Sequence, residues 1–303
     1  MDQLLLSADP ADFTRSILRS ISDGSDDQLL TGIPSLPGIV TGLRESPDEI
    51  GDVSLALNNA GALAAIAARQ DKPGLFTACV NALQATYKLG DLFTDAPEIT
   101  DVQLFEASAD TLWCLGASLC AEGRYAQIAE LVDWEPLPDG HYDTWFRHGQ
   151  VMSARAATEH DDDNALDVPS RILEKHDGFD LTEDSDARHK ALFGFDLLAL
   201  LVAARRMKVA SDRLNYYPSF AKGDAVLSEW VLFDLRVAGP KREAVFSGSN
   251  DDLRTIIREA NEMAASQAAF LRAGGKAWNF LGFADARTWL FVREGNLWED
   301  WPR

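Results

Sequence analysis

Residues 46–90 read SPDEIGDVSLALNNAGALAAIAARQDKPGLFTACVNALQATYKLG, and two successive helices are expected within them. Ser46 supplies an N-cap hydroxyl, Pro47 a fixed φ at the first helical position, and Glu49 the acidic partner of a capping box. An alanine-rich helix is expected from there through Ala68. Asp71-Lys72-Pro73-Gly74 breaks it. A second helix follows, with Leu75, Ala78, Cys79, Ala82, Leu83 and Tyr87 in register and Gly90 just past its end.

The same grammar extends in both directions. Upstream, Asp9-Pro10 reads as an N-cap followed by proline at the first helical position, and Phe13, Ile17, Leu18 and Ile21 fall on one face. Downstream, Thr100-Asp101-Val102-Gln103 forms a second capping box. It leads a long helix carrying Leu104, Ala107, Leu112, Leu115 and Leu119, which Gly123 ends. Tyr125–Trp134 is expected to be the next helix, residues 136–140 a loop, and Tyr142–Thr158 helical again. Ala187–Arg206 is the most apolar helix of the chain, and further helices are expected at Ala225–Val237 and Asp251–Ala273. Trp278, Trp289, Trp298 and Trp301 mark a C-terminus that suits either a small β-hairpin or a last helix. Too few strand patterns exist to build a sheet. The expected class is all-α, a helical bundle or a short α-solenoid of helix–turn–helix units.

Three regions are expected within one continuous domain: an N-terminal helical region (1–158), an acidic connector (159–186) and a C-terminal helical region (187–303). In the first, Leu115-Gly116, Leu119, Gly123 and Tyr125 resemble one tetratricopeptide repeat. Small residues there let two antiparallel helices approach closely. Ile128 stands where that pattern wants a small residue, and no second copy is evident.

The 303 residues are 46% hydrophobic and 25% charged, which excludes disorder of the whole chain. Lys and Arg total 28 against 48 Asp and Glu, a net charge of -20. Such a chain lacks the basic face that phosphate binding needs, so neither nucleic acid nor an anionic membrane is expected as a direct partner. No apolar stretch reaches the roughly 20 residues that span a bilayer. The longest, Ala191–Ala204, is interrupted by Asp196. That carboxylate sits either on the exposed side of a half-buried helix or buried beside an arginine. The N-terminus carries no basic region of a secretory signal, and the cysteines number only three, Cys79, Cys114 and Cys120. Reduced thiols and a cytoplasmic location are expected.

Charge concentrates in the connector. Between Glu159 and Asp186 stand eleven acidic residues, opposed only by Arg171 and Lys175. The run does not fit a calcium loop, because Asp161-Asp162-Asp163-Asn164 lacks the alternating ligands and central glycine. It reads either as a solvated loop or as an acidic docking surface. The candidate partner-binding residues are Asp161, Asp162, Asp163, Asp167, Asp177, Asp180, Glu183, Asp184 and Asp186.

No catalytic residue or cofactor is expected. There is no nucleophile elbow, no phosphate-binding glycine loop, and Gly274-Gly275 reads as a helix C-cap. The five histidines are His141, His148, His160, His176 and His189. One arrangement among them is sharper: His176-Asp177 resembles the adjacent pair of HD-type metal-dependent phosphohydrolases. That resemblance implies His148 as an early ligand and Asp196 or Asp234 as a late one, with metal-bound water as nucleophile. In those proteins the pair follows apolar residues, whereas Glu174-Lys175 precede it here. A solvated helix end is the plainer reading.

Leu192-Phe193-Gly194-Phe195-Asp196-Leu197-Leu198-Ala199-Leu200-Leu201, a polar connector and then Tyr216-Tyr217-Pro218 are similar to the end of the domain in the immunity 49 family. Its members are all-α antitoxins of bacterial polymorphic toxin systems. The likeness covers about 30 residues and departs at Arg213-Leu214-Asn215, where an acidic residue and a serine are expected. It implies a non-enzymatic binding protein that neutralises a cognate toxin, such as a basic nuclease, by direct contact. An acidic face suits that role, because it steers encounter with a basic partner. A scaffold or adaptor of tetratricopeptide type is the alternative, and the HD-type enzyme a second one.

Overall fold

The computed structural model describes residues 1–45, 50–89 and 99–132, and then Phe179, Asp184, ten residues within 187–202, Val231, Asp234, Leu235 and residues 239–245. All regular structure among the described residues is helical, with no strand. The class is all-α. In chain order the helices are α1 (Asp2–Leu5), α2 (Pro10–Ser22), α3 (Asp26–Gly32), a 3-10 turn (Ile33–Ser35), α4 (Leu36–Arg44), α5 (Ile50–Arg69), α6 (Pro73–Tyr87), α7 (Ile99–Ala121), α8 (Tyr125–Leu131) and α9 (Pro240–Val245). No helix among the described residues is long and apolar enough to cross a membrane.

Three helix ends are built on one plan. α2 ends when Gly24 enters the left-handed region at φ +69°, α5 when Asp71 does so at φ 52°, and α7 when Gly123 does so at φ +66°. Each left-handed residue donates its N–H three residues back, to Ile21, Ala68 and Cys120 respectively. The following N–H reaches five back, to Ser20, Ala67 and Leu119. This pair of bonds is the Schellman closure, which satisfies carbonyls that a helix end would otherwise orphan. In every case the residue after the left-handed one, Ser25, Lys72 or Arg124, is already the N-cap of the next helix. The result is three helix–turn–helix units: α2 with α3–α4, α5 with α6, and α7 with α8.

The units stack in register. Thr111 Oγ1 donates to Asn58 Oδ1 at 2.7 Å, Arg69 Nη1 meets Glu122 Oε1 at 3.3 Å, and Arg124 Nη1 meets Asp71 Oδ1 at 2.6 Å, all pairs separated by 53 residues. Thr77 of α6 donates to Glu130 of α8 at the same separation. A constant offset along both helices means that α5 runs parallel to α7 and α6 parallel to α8. Between the first two units, Lys72 Nζ meets Asp26 Oδ2 at 2.8 Å and Arg44 Nη1 donates to the Leu89 carbonyl at 3.0 Å, offsets of 46 and 45. Lys72 holds the Asp26 carboxyl below the usual range, chiefly through its hydrogen bond. The expected single repeat-like hairpin is therefore one of three, an α-solenoid arrangement. The copies escape a sequence reading because the left-handed position is Gly, Asp and Gly, and little else in the units is shared.

α5 and α7 form the centre. Leu57, Ala60, Leu63, Ala64 and Ala67 of α5 and Leu112, Trp113, Leu115 and Leu119 of α7 are all buried, which explains why neither helix shows a strong polar face. The N-terminal segment is tied to α5 by Asn59, whose Nδ2 donates to the Leu5 carbonyl at 2.8 Å and the Ser7 carbonyl at 3.0 Å. Asp9 caps α2 as expected, accepting from Ala11 and Asp12, and those N–H groups hold its carboxyl below the ordinary value. Phe13 and Ile17 are buried, but Leu18 is 37% exposed. It lies one residue, about 100°, round from Ile17, and the buried stripe of α2 is narrower than expected. Thr100, expected as an N-cap, lies within α7, which begins at Ile99. The Ser46 capping box, the 136–140 loop, the helices expected at 142–158 and 251–273 and the tryptophan-rich C-terminus lie outside the described residues.

Candidate functional site

The acidic segment meets the body of the protein at Phe179. Its side chain is buried, 1% exposed, against Gly61 of α5 and Thr111 of α7. A Cβ on Gly61 would come within 2.9 Å of the Phe179 Cζ and 2.6 Å of the Thr111 Cγ2, so glycine makes the room for the ring. The Phe179 carbonyl accepts from Ser118 Oγ at 3.1 Å and from Arg69 Nη1 at 3.4 Å. From sequence the connector reads either as a solvated loop or as an acidic docking surface, both exposed, but at this residue it belongs to the core. Burial of a large aromatic outweighs the polarity of its neighbours.

Asp184 is the one candidate partner-binding residue among those described. It is exposed, its Oδ1 accepts the Ala187 N–H at 3.4 Å, and its carbonyl accepts the Arg188 N–H at 3.0 Å. This is N-cap geometry, so its charge also opens the helix that follows. Asp161, Asp162, Asp163, Asp167, Asp177, Asp180, Glu183 and Asp186 lie outside the described residues.

The described residues of 187–202 are helical, and Ala191, Leu192, Phe195, Leu198, Ala199 and Val202 among them are buried. Phe195 packs on Gly116 of α7 so closely that a Cβ there would overlap its ring. Gly116, expected to let a neighbouring helix approach, thus admits an aromatic side chain from a distant one.

Compared with protein-family models, curated proteins and solved structures, the chain finds no match in any of the three. The reading of its function therefore rests on its own residues.

Asp234, one of two late-ligand candidates for the HD-type site, is already engaged. Its Oδ2 accepts from Lys241 Nζ at 2.6 Å and from the Tyr125 hydroxyl at 3.0 Å. The Lys241 ammonium also lies 5.1 Å from the centroid of the Tyr125 ring. Burial, then the neighbouring Cys120 and Asp234, push the Tyr125 phenol well above its ordinary pKa. The cluster joins α8 to α9 as a structural tie. His148, His176, Asp177 and Asp196 lie outside the described residues, as do His141, His160 and His189. Among the described residues no group of three or more His, Cys, Asp or Glu could hold a metal ion.

Cys79, Cys114 and Cys120 are free thiols buried in the core. Burial raises all three pKa values far above the usual range, with Asp110 adding to the effect at Cys114 and Asp234 at Cys120. Thiols held neutral in this way are poor nucleophiles and poor ligands.

Sequence reasoning misses Phe179 and the Asp234–Lys241–Tyr125 cluster. The signal for the first is a lone aromatic between Gly178 and Asp180 in a charged run. Nothing in the local sequence points to the second, in which Tyr125 lies over 100 residues from Asp234 and Lys241.

Proposed function

We propose that this protein is a non-enzymatic binding protein that neutralises a basic protein partner by direct contact, in the manner of an immunity protein. The observation that carries this reading is the net charge of -20, with eleven carboxylates gathered between Glu159 and Asp186. Such a field attracts a basic macromolecule over several ångströms beyond contact and disfavours acidic ones. A nuclease toxin is the chemistry that fits, since it must itself be basic to hold phosphate. Attachment of the acidic segment to the core at Phe179 supports the reading. That residue is already buried, so binding through the segment has less ordering entropy to overcome there.

A second reading is favoured by the three stacked helix–turn–helix units. Such stacks present extended surfaces to peptide ligands, and a scaffold or adaptor role follows from that architecture.

One experiment separates the two. The wild-type chain and a D161K/D162K/D163K variant are each used to capture partners, and association rates are measured across a range of salt. A partner whose association slows at least tenfold in the variant, and slows with salt in the wild type, supports the acidic surface. A partner bound equally by both, at rates indifferent to salt, supports the solenoid scaffold.

A further inference from the structure

We infer that the cradle formed by Gly61, Thr111, Ser118 and Arg69 at the α5–α7 seam is a peptide-binding site occupied in cis. Its ligand class is an aromatic residue within an acidic segment, and its present occupant is the chain's own Phe179.

The cradle and its occupant come from different parts of the architecture. The four cradle residues belong to the second and third solenoid units, whereas Phe179 follows the last described residue of the third unit, Val132, by 47 positions. Recognition has two independent components. The ring occupies space that Gly61 leaves free, with Thr111 beside it. The main-chain carbonyl of the same residue accepts from Ser118 Oγ and Arg69 Nη1. A carbonyl is common to every residue, so these donors read peptide backbone while the hollow reads the side chain.

Among the described residues four helical Ser and Thr hydroxyls are buried: Thr111 donates across the seam to Asn58 Oδ1, and two others return their protons to their own helix. Thr86 Oγ1 returns its proton to Ala82 at 2.7 Å and Ser108 Oγ to Leu104 at 2.7 Å, each four residues back in its own helix. Ser118, equally buried, instead points its proton at the incoming carbonyl. Arg69 also meets Glu122 Oε1 at 3.3 Å, so its guanidinium links the cradle to the turn after α7, and the segment that carries Phe179 is acidic in sequence, with Asp177 and Asp180 within two positions of it.

The chain's hold on its own segment is independent of whether the partner proposed above is a toxin. The test uses full-length protein and a dye-labelled peptide of residues 175–183. In the wild type the cis segment competes at an effective concentration of order millimolar, so little labelled peptide binds. The F179A variant empties the cradle. It is expected to bind the peptide at least tenfold more tightly than the wild type does, while the same peptide with alanine in place of Phe179 does not bind. Adding Ser118→Ala to F179A is expected to weaken peptide binding severalfold. Equal binding to wild type and F179A, or no binding to an F179A chain that retains its helical circular dichroism, overturns the inference. Should F179A not fold, Ser118→Ala alone decides. It keeps the ring but removes a donor, and trypsin cleavage at Arg171 and Lys175 is expected to quicken severalfold with helicity unchanged. Unchanged cleavage overturns the inference.

Discussion

The ring of Phe195 lies on the α-carbon of Gly116, with its Cδ1, Cε1 and Cζ atoms filling the space where a Cβ would stand. This contact fastens the described helical residues of 187–202 to the third solenoid unit. Gly116→Ala is expected to cost roughly 1–3 kcal/mol, because the added methyl forces the ring or the backbone aside. Phe195→Leu opens room at the same spot, so the double variant should lose less than the sum of the two single losses. Chemical denaturation of the four chains gives the coupling. Simple additivity would mean that the two residues do not meet.

The three Schellman turns predict a ranking of substitutions. Nothing lies within 4 Å of a Cβ on Gly24, so Gly24→Ala carries only the backbone cost of the left-handed region, about 1 kcal/mol. Gly123→Ala should cost more, because its Cβ would meet the Lys241 Cε and Nζ at 2.9 Å. Asp71→Gly should be close to neutral: it relieves φ strain but loses the ion pair to Arg124, whose Asp71 side is largely exposed. Thermal unfolding of the three variants checks the order, and a Gly24→Ala loss larger than that of Gly123→Ala would contradict it.

The buried thiols predict a pH dependence. Their pKa values are raised in the folded chain, so above the unfolded value of about 8.5 the unfolded state releases protons that the native state keeps. Stability should then fall as pH rises through and beyond about 8.5, with a slope of roughly 1 kcal/mol per unit for each thiol once it ionises in the unfolded chain. Substituting Cys79 by Ala should make the decline shallower. Native protein at pH 8 should also resist thiol reagents that modify all three cysteines in denaturant. Rapid labelling of the folded chain would contradict the burial.

The sequence makes the helices legible wherever a local device sets them. Asp9-Pro10, Lys72-Pro73 and Gly123 mark their boundaries correctly because capping and left-handed closure are contained within five or six residues. The solenoid is not legible in the same way. Its register rests on pairs 53 residues apart, such as Asn58–Thr111 and Arg69–Glu122, whose residue types do not repeat between units. The middle turn is legible from Lys72-Pro73-Gly74, but its kinship with the turns at Gly24 and Gly123 is not, since an aspartate in the left-handed region carries no sequence mark that glycine would. For the candidate site, charge shows where carboxylates accumulate but not where the segment is fastened. Phe179 is fastened by Gly61 and Ser118, more than 60 positions away. Asp184 reads from sequence as one more surface charge, whereas it caps a helix.

Docking through the acidic segment is decided by the association rate of a captured protein partner with the wild-type chain and with the D161K/D162K/D163K variant, measured from low to physiological salt. Such docking predicts a basic partner, an association rate that falls steeply with salt for the wild type, and a rate at least tenfold lower for the variant at low salt. Equal rates for the two chains, unmoved by salt, would contradict it.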